Sequence, residues 1–180
     1  MSAVQTTVAD KAVAFAGMRA SAEDKTVVRS YVSEESTAEI PFGFCLAQGT
    51  ADNGAKIPVG STTVRNIVGV VTQRHEYART VTLADGTVVG ELGSTGLRPG
   101  VDLALMTSGE VWVTVEDNVT PNTKPYLRIA GTGTPGLFRG TSDTTNTLDC
   151  SAFARFTSSA SGGGLAKLAF DLSGRNATPQ

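Results

Sequence analysis

An all-β domain, a small antiparallel barrel or sandwich of jelly-roll or tulip-like form with an extended N-terminal arm, is the fold this sequence predicts. Three observations carry that expectation. Short apolar runs of strand length recur from about Thr26 onward, separated by Gly, Pro, Asn and Asp. Several of them alternate apolar and polar residues with period two rather than 3.6. No helical pattern intervenes between them, so the βαβ alternation of a parallel sheet is missing.

The elements follow in chain order. Val4, Val8, Ala12, Val13, Phe15 and Met18 are scattered with neither a helical stripe nor strict alternation, which reads as an arm over residues 1–25. Within it Ser21-Ala22-Glu23-Asp24 can cap a turn or two of helix, but no periodic apolar segment follows. Thr26 to Val32 is rich in β-branched and aromatic residues, and Ile40 to Ala47 and Ile67 to Gln73 are further compact apolar runs. Arg79 to Leu83 and Thr87 to Leu92 flank Ala84-Asp85-Gly86, where Asp-Gly supplies the positive φ of a tight hairpin turn.

Leu97 to Gly100 reads as a turn. Beyond it, Val101, Leu103 and Leu105 share one face of a strand, and Val111, Val113 and Val115 share one face of the next. Thr107-Ser108-Gly109-Glu110 between them predicts a turn, so the pair forms a hairpin with one buried side. Asn118 to Lys124 predicts another turn. Tyr126 to Ala130, Gly136 to Arg139, Ala152 to Phe156 and Leu165 to Leu172 complete nine to eleven strands, with Leu168, Phe170 and Leu172 facing inward. Thr157 to Gly164, built from Thr, Ser, Gly and one Ala, predicts a flexible hairpin tip. The division is an arm at 1–25, a single β-domain at 26–172 and a polar tail at 173–180.

Composition narrows the function. At 180 residues, 40% hydrophobic and 18% charged, the chain has the size of one domain and is apolar enough to fold. Its net charge of −2 comes without any basic cluster, which argues against nucleic acid and anionic membrane as partners. Ala14-Phe15-Ala16 before Gly17 mimics a signal-peptide cleavage site, but Asp10 and Lys11 interrupt the stretch ahead of it, so synthesis in the cytoplasm is expected. On that reading the Asn118-Val119-Thr120 and Asn176-Ala177-Thr178 glycosylation patterns are fortuitous. Cys45 and Cys150 belong to no C-x-x-C pair and are expected to be buried free thiols.

Little chemistry is on offer. His75 is the sole histidine, and no G-x-S-x-G motif partners it. One imidazole is too few for a zinc site built on His ligands. Gly131-Thr132-Gly133-Thr134-Pro135-Gly136 satisfies G-x-G-x-x-G, but Pro135 and the run after it continue as loop and strand instead of opening the helix a pyrophosphate requires. Glu34-Glu35 and Glu116-Asp117 are adjacent carboxylates, which on a strand point to opposite faces and do not bracket one bond. The sequence therefore predicts no catalytic, cofactor-binding or metal site, no cofactor and no small-molecule substrate. Trp112 lies opposite Val111 and Val113, as either a second core layer or an interface anchor. With Val13, Phe15 and Met18 it makes up the predicted contact set.

Taken in order, Ala16-Gly17-Met18, Glu34-Glu35, Ile40-Pro41-Phe42-Gly43, Cys45-Leu46-Ala47, Ile67 to Val71, Pro99-Gly100-Val101 and Gly109 to Val115 make most of residues 14–140 similar to the structural cement, or decoration, proteins of tailed bacteriophages. That resemblance implies a non-enzymatic virion protein on the capsid exterior, made in the bacterial host cytoplasm. It would bind the expanded head and bridge neighbouring major-capsid subunits at local symmetry axes. The hairpin around Asp85-Gly86 and the Ser/Gly loop before Leu165 are elaborations on the family's usual length. A homo-oligomer is expected, a trimer ahead of a dimer, with the arm locking onto capsid or a sister subunit. Three alternatives stay open: a head fibre, a tail-tube or adaptor component, or a carbohydrate-binding module built on Trp112, Tyr77 or Tyr126.

Overall fold

The computed structural model describes residues 14–20, 26–74, 81–82, 84 and 88–173. The short apolar runs become twelve strands: β1 (Val27–Ser33), β2 (Cys45–Gln48), β3 (Gly54–Lys56), β4 (Ile67–Val71), β5 (Val81–Thr82), β6 (Val88–Val89), β7 (Asp102–Thr114), β8 (Tyr126–Arg128), β9 (Phe138–Arg139), β10 (Thr147–Asp149), β11 (Ala154–Phe156) and β12 (Leu165–Asp171). Helical geometry among the described residues is confined to short 3₁₀ stretches, at Val64–Asn66, at Thr144–Asn146 and at 172–173 just after β12. The all-β expectation holds.

Strand β7 organises the molecule. Its Leu105 and Met106 pair with Arg29 and Val28 of β1 and also with Val71 and Val70 of β4, so β1 and β4 occupy opposite edges of it. From β4 the pairing runs to β2 and then β3, and β3 returns to β1 in parallel register, Val32 opposite Gly54. These five strands close into a small barrel. Closure leaves the ring with no free edge. The far half of β7 instead pairs with β12, from Ser108 opposite Asp171 to Thr114 opposite Leu165, and β12 carries β11. A separate sheet of order β10-β8-β9 makes the other layer of this second lobe.

Each lobe has its own core. Leu46, Val68, Val71, Leu97, Leu103 and Leu105 fill the barrel. Val111, Val113, Val115, Leu168 and Phe170 pack against Leu127, Phe138 and Phe153 in the layered lobe. Phe170 meets Phe138 and Phe153 edge to face, with centroids 6.5 and 5.5 Å apart. Cys45, Val70 and Met106 extend this second core onto the barrel strands. β4 contributes to both cores, which is why all five of its residues are buried and its sequence does not alternate. Gly69 is required there, because a Cβ would sit 2.8 Å from the Met106 carbonyl oxygen.

One local expectation fails. Thr107 to Glu110 is not a turn but the middle of a continuous strand of 13 residues. The Thr-Ser-Gly-Glu composition favours reversal, yet each half of β7 has other strands to pair with, and tertiary pairing overrides the local preference. Gly109, at φ +134° and opposite Phe170, takes up the irregular backbone within the strand. The Ser/Gly stretch after β11 is likewise tied down. Val119 and Ala160 exchange backbone hydrogen bonds of 2.9 and 3.1 Å, and Gly163 N–H donates to the Val115 carbonyl at 2.7 Å. The predicted hairpin is present, with Val81 opposite Val89 and Thr82 opposite Val88. Its Asp85-Gly86 turn, the possible helical turn at Ser21 to Asp24 and tail residues 174–180 lie outside the described residues.

Candidate functional site

The predicted contact residues converge on one edge of β7. Val13 lies outside the described residues. The segment 14–20 runs along β7: Gly17 N–H donates to the Trp112 carbonyl at 2.8 Å, Trp112 N–H to the Met18 carbonyl at 2.9 Å, and Ala20 N–H to the Glu110 carbonyl at 2.8 Å. Because β12 already pairs with residues 110–112, this segment fills the opposite edge. The described part of the arm is thus an added strand-like edge, stitched to the body through its own backbone.

Gly17 shows why small residues stand there. It is buried at φ +79°, and a Cβ would fall 2.8 Å from Phe42 Cβ and 2.9 Å from the Val71 carbonyl oxygen. Gly43, at φ +80°, donates its N–H to that same Val71 oxygen, and a Cβ on it would meet Ala16 Cβ at 3.0 Å. Ala16-Gly17 and Phe42-Gly43 therefore pack almost backbone to backbone. Phe15, 47% exposed, projects from this joint, while Met18 and Trp112 are half-buried. Val111 and Val113 are fully buried, which puts Trp112 on the outer face of its strand. Lys167, its cross-strand partner, holds its ammonium 5.4 Å from the indole centroid.

The layered lobe gathers the other notable side chains. Arg128, only 4% exposed, donates from Nε to Glu116 at 3.0 Å and pairs with Asp143 through Nη1. Arg139 reaches Glu116 and Asp117, both at 3.4 Å. Asp117 also accepts from Gly140 and Thr141. The glycine-rich segment 131–136 wraps this cluster, with Thr134 N–H donating to Glu116 Oε1 at 2.9 Å. The Thr134 amide thus faces a carboxylate of the protein itself, and that of Gly136 the Arg128 carbonyl. Gly136 is needed at φ +98° because a Cβ would strike the Phe44 ring at 2.7 Å.

The remaining candidates are structural in their contacts. Glu34 accepts from Thr50 and Ala51 N–H at 2.6 and 2.7 Å, and Glu35 from Ile57 N–H at 2.8 Å. Glu39 accepts from the N–H groups of Ser94 and Thr95 and from the Thr95 hydroxyl, at 3.1, 2.7 and 2.7 Å. These donors hold the Glu39 carboxyl down at about 2 and lower that of Glu34 as well. The sequence offers no signal for such clamps, since their partners lie 16 to 56 residues away. Cys45 and Cys150 are buried and unbridged, and burial pushes both thiols up, away from thiolate chemistry. His75 lies outside the described residues, and among those described no three His, Cys, Asp or Glu side chains gather as a metal site would require.

Comparison with known proteins gives this geometry a context. A family model described as structural cement protein (E217 gp24/Pam3 gp6) matches residues 4–171. No curated protein matches the sequence. Five chains of solved structures match the fold. One belongs to "The capsid of Myoviridae Phage XM1": it is 15% identical, superposes with a TM-score of 0.64, and the alignment covers 96% of this chain and 99% of that one. At such identity the likeness is one of fold.

Proposed function

The chain belongs to the structural cement protein family of phages, and on that premise we propose that it binds the outer surface of the expanded head and bridges neighbouring major-capsid subunits. It works by adhesion, making and breaking no bond in a substrate. The observation that supports this most is the extent of the family match, residues 4–171, which takes in the arm, the barrel and the layered lobe together. The role therefore belongs to the whole body rather than to one module of it.

The architecture suits that task. Two lobes with separate cores share one uninterrupted strand, so a load applied at either lobe passes along β7 without a loop hinge. With only 18% charged residues, the surface favours broad hydrogen-bonded contacts that become strong when repeated across a symmetric shell. A homo-oligomer, a trimer ahead of a dimer, places several such bodies around one axis. The exposed Phe15, with Met18 and Trp112 beside it on the β7 edge, is the contact surface, through which the arm locks onto capsid or a sister subunit.

Co-sedimentation tests the reading. The purified protein is expected to pellet with expanded heads lacking it and to label the whole head in electron micrographs. Failure to pellet, or label confined to the tail, refutes it. Removing residues 1–13 should leave the melting temperature unchanged and weaken head binding at least about tenfold. Unchanged affinity would remove the arm from the mechanism.

A further inference from the structure

The barrel is open at one end, and that opening carries charge which the described residues leave unpaired. Tyr31, Leu46 and Leu105 face the barrel core. Two residues farther along the same strands, the same faces present Arg29, Gln48 and Thr107. Together with Arg65, in the 3₁₀ turn before β4, they line a cavity of about 730 Å³. Val27, which also lines it, is 44% exposed.

Arg29 and Arg65 are both exposed, and neither forms an ion pair or hydrogen bond among the described residues. Asp171, the acid that lines this cavity, is engaged by Ser173, whose N–H and hydroxyl donate to it at 2.9 and 2.6 Å. Elsewhere Glu34, Glu35, Glu39, Glu116 and Asp117 accept hydrogen bonds from the chain's own donors. The two guanidinium groups outnumber the one carboxylate in the lining, so a protein with net charge −2 keeps a cationic, half-apolar opening at one end of its barrel.

We infer that this opening receives an acidic, extended segment of the shell protein on which the chain sits. Carboxylates of the segment meet the Arg29 and Arg65 guanidinium groups, whose planar forks suit them. An intervening apolar side chain rests on Val27 and Tyr31. The inference rests on the capsid-binding reading and adds the chemistry of the partner to it.

The test is charge reversal. R29E/R65E breaks no ion pair among the described residues, so its melting temperature should match that of the wild type, while its affinity for expanded heads should fall at least about tenfold. R29K/R65K should recover much of the loss, and wild-type binding should weaken with added salt. If R29E/R65E binds heads as tightly as the wild type, this inference falls while the capsid-binding reading stands. If the wild type itself does not bind, both fall. Carbodiimide coupling of R65K on assembled heads gives the second readout: a cross-link to an Asp or Glu in an acidic stretch of the shell protein is expected. A cross-link to a sister copy, or none, overturns the assignment.

Discussion

The two halves of β7 lie in lobes that are finished by different means. The barrel half closes through its backbone: β1 pairs with both β3 and β7, and aliphatic side chains plug the interior. The layered half adds one closure made by side chains to others made by backbone hydrogen bonds. Its ion cluster centres on Arg128, segment 14–20 caps its edge, and the Ser/Gly loop is pinned to Val115 and Val119. Backbone pairing alone tolerates many sequences, whereas a buried ion cluster does not, and neither does a backbone contact that leaves no room for a Cβ, as at Gly17. Single substitutions should therefore cost most in the layered lobe and at its joint with the arm.

The largest effect is expected at Arg128. R128M leaves the Glu116 carboxylate, 13% exposed, with Arg139 as its remaining ion-pair partner and strips Asp143 of its closest one. Breaking a buried pair from one side should lower stability by about 3 kcal/mol in denaturant unfolding. E116Q/R128M, which also removes the stranded charge, should recover part of that loss. If R128M is neutral, the comparison between the lobes loses its basis. Next comes G17A, which forces a side chain into φ +79° and against Phe42 and Val71. A loss of about 2 kcal/mol, read as a lower melting temperature, is expected. No change would mean that segment 14–20 is not seated on β7.

A smaller effect is expected where a clamp is exposed, at the barrel's Glu39. Its folded pKa, about 2, lies below the ordinary 4.5, so its contribution is complete above about pH 4.5 and is lost as the pH falls toward 2. E39Q should flatten the acid limb of the stability profile over that window and leave stability at neutral pH less dependent on the clamp. An E39Q profile parallel to the wild type between pH 5 and about 2 would show that the clamp carries no such linkage.

How legible each region was in the sequence follows the same division. Val111, Val113, Val115, Leu168 and Phe170 were readable as inward faces because each strand has one wet side, and all five are buried. β4 carried no such signal, being covered on both faces. β3 and β10, three residues each, are too short to show a period. The seating of 14–20 leaves no mark in the sequence beyond Gly17, because it is made by backbone groups. Phe15, Met18 and Trp112 were singled out one by one for apolar character, and it is the edge of β7 that brings them together. Arg29 and Arg65 had no visible relation until the barrel closed and set them around one opening. The ordered set of weak motifs carried the family resemblance over 14–140, and the family match extends it to 4–171.

The smallest effect is expected at the Lys167–Trp112 pair, and it separates the two contact surfaces. At 5.4 Å and on a half-exposed face, this cation–π contact should be worth about 0.5 kcal/mol, so K167Q should barely move the melting temperature. Its use lies elsewhere. Trp112 is the only tryptophan of this chain, so its tryptophan emission, excited at about 295 nm and read as the difference from heads alone, reports on the β7 edge. If that edge is pressed against the shell, emission should move to shorter wavelength and acrylamide quenching should fall when K167Q binds expanded heads, because the indole exchanges water for protein. If binding persists with no spectral change, the β7 edge faces away from the shell. The Arg29 and Arg65 opening would then remain as the proposed contact, an arrangement that R29E/R65E tests in the same titration.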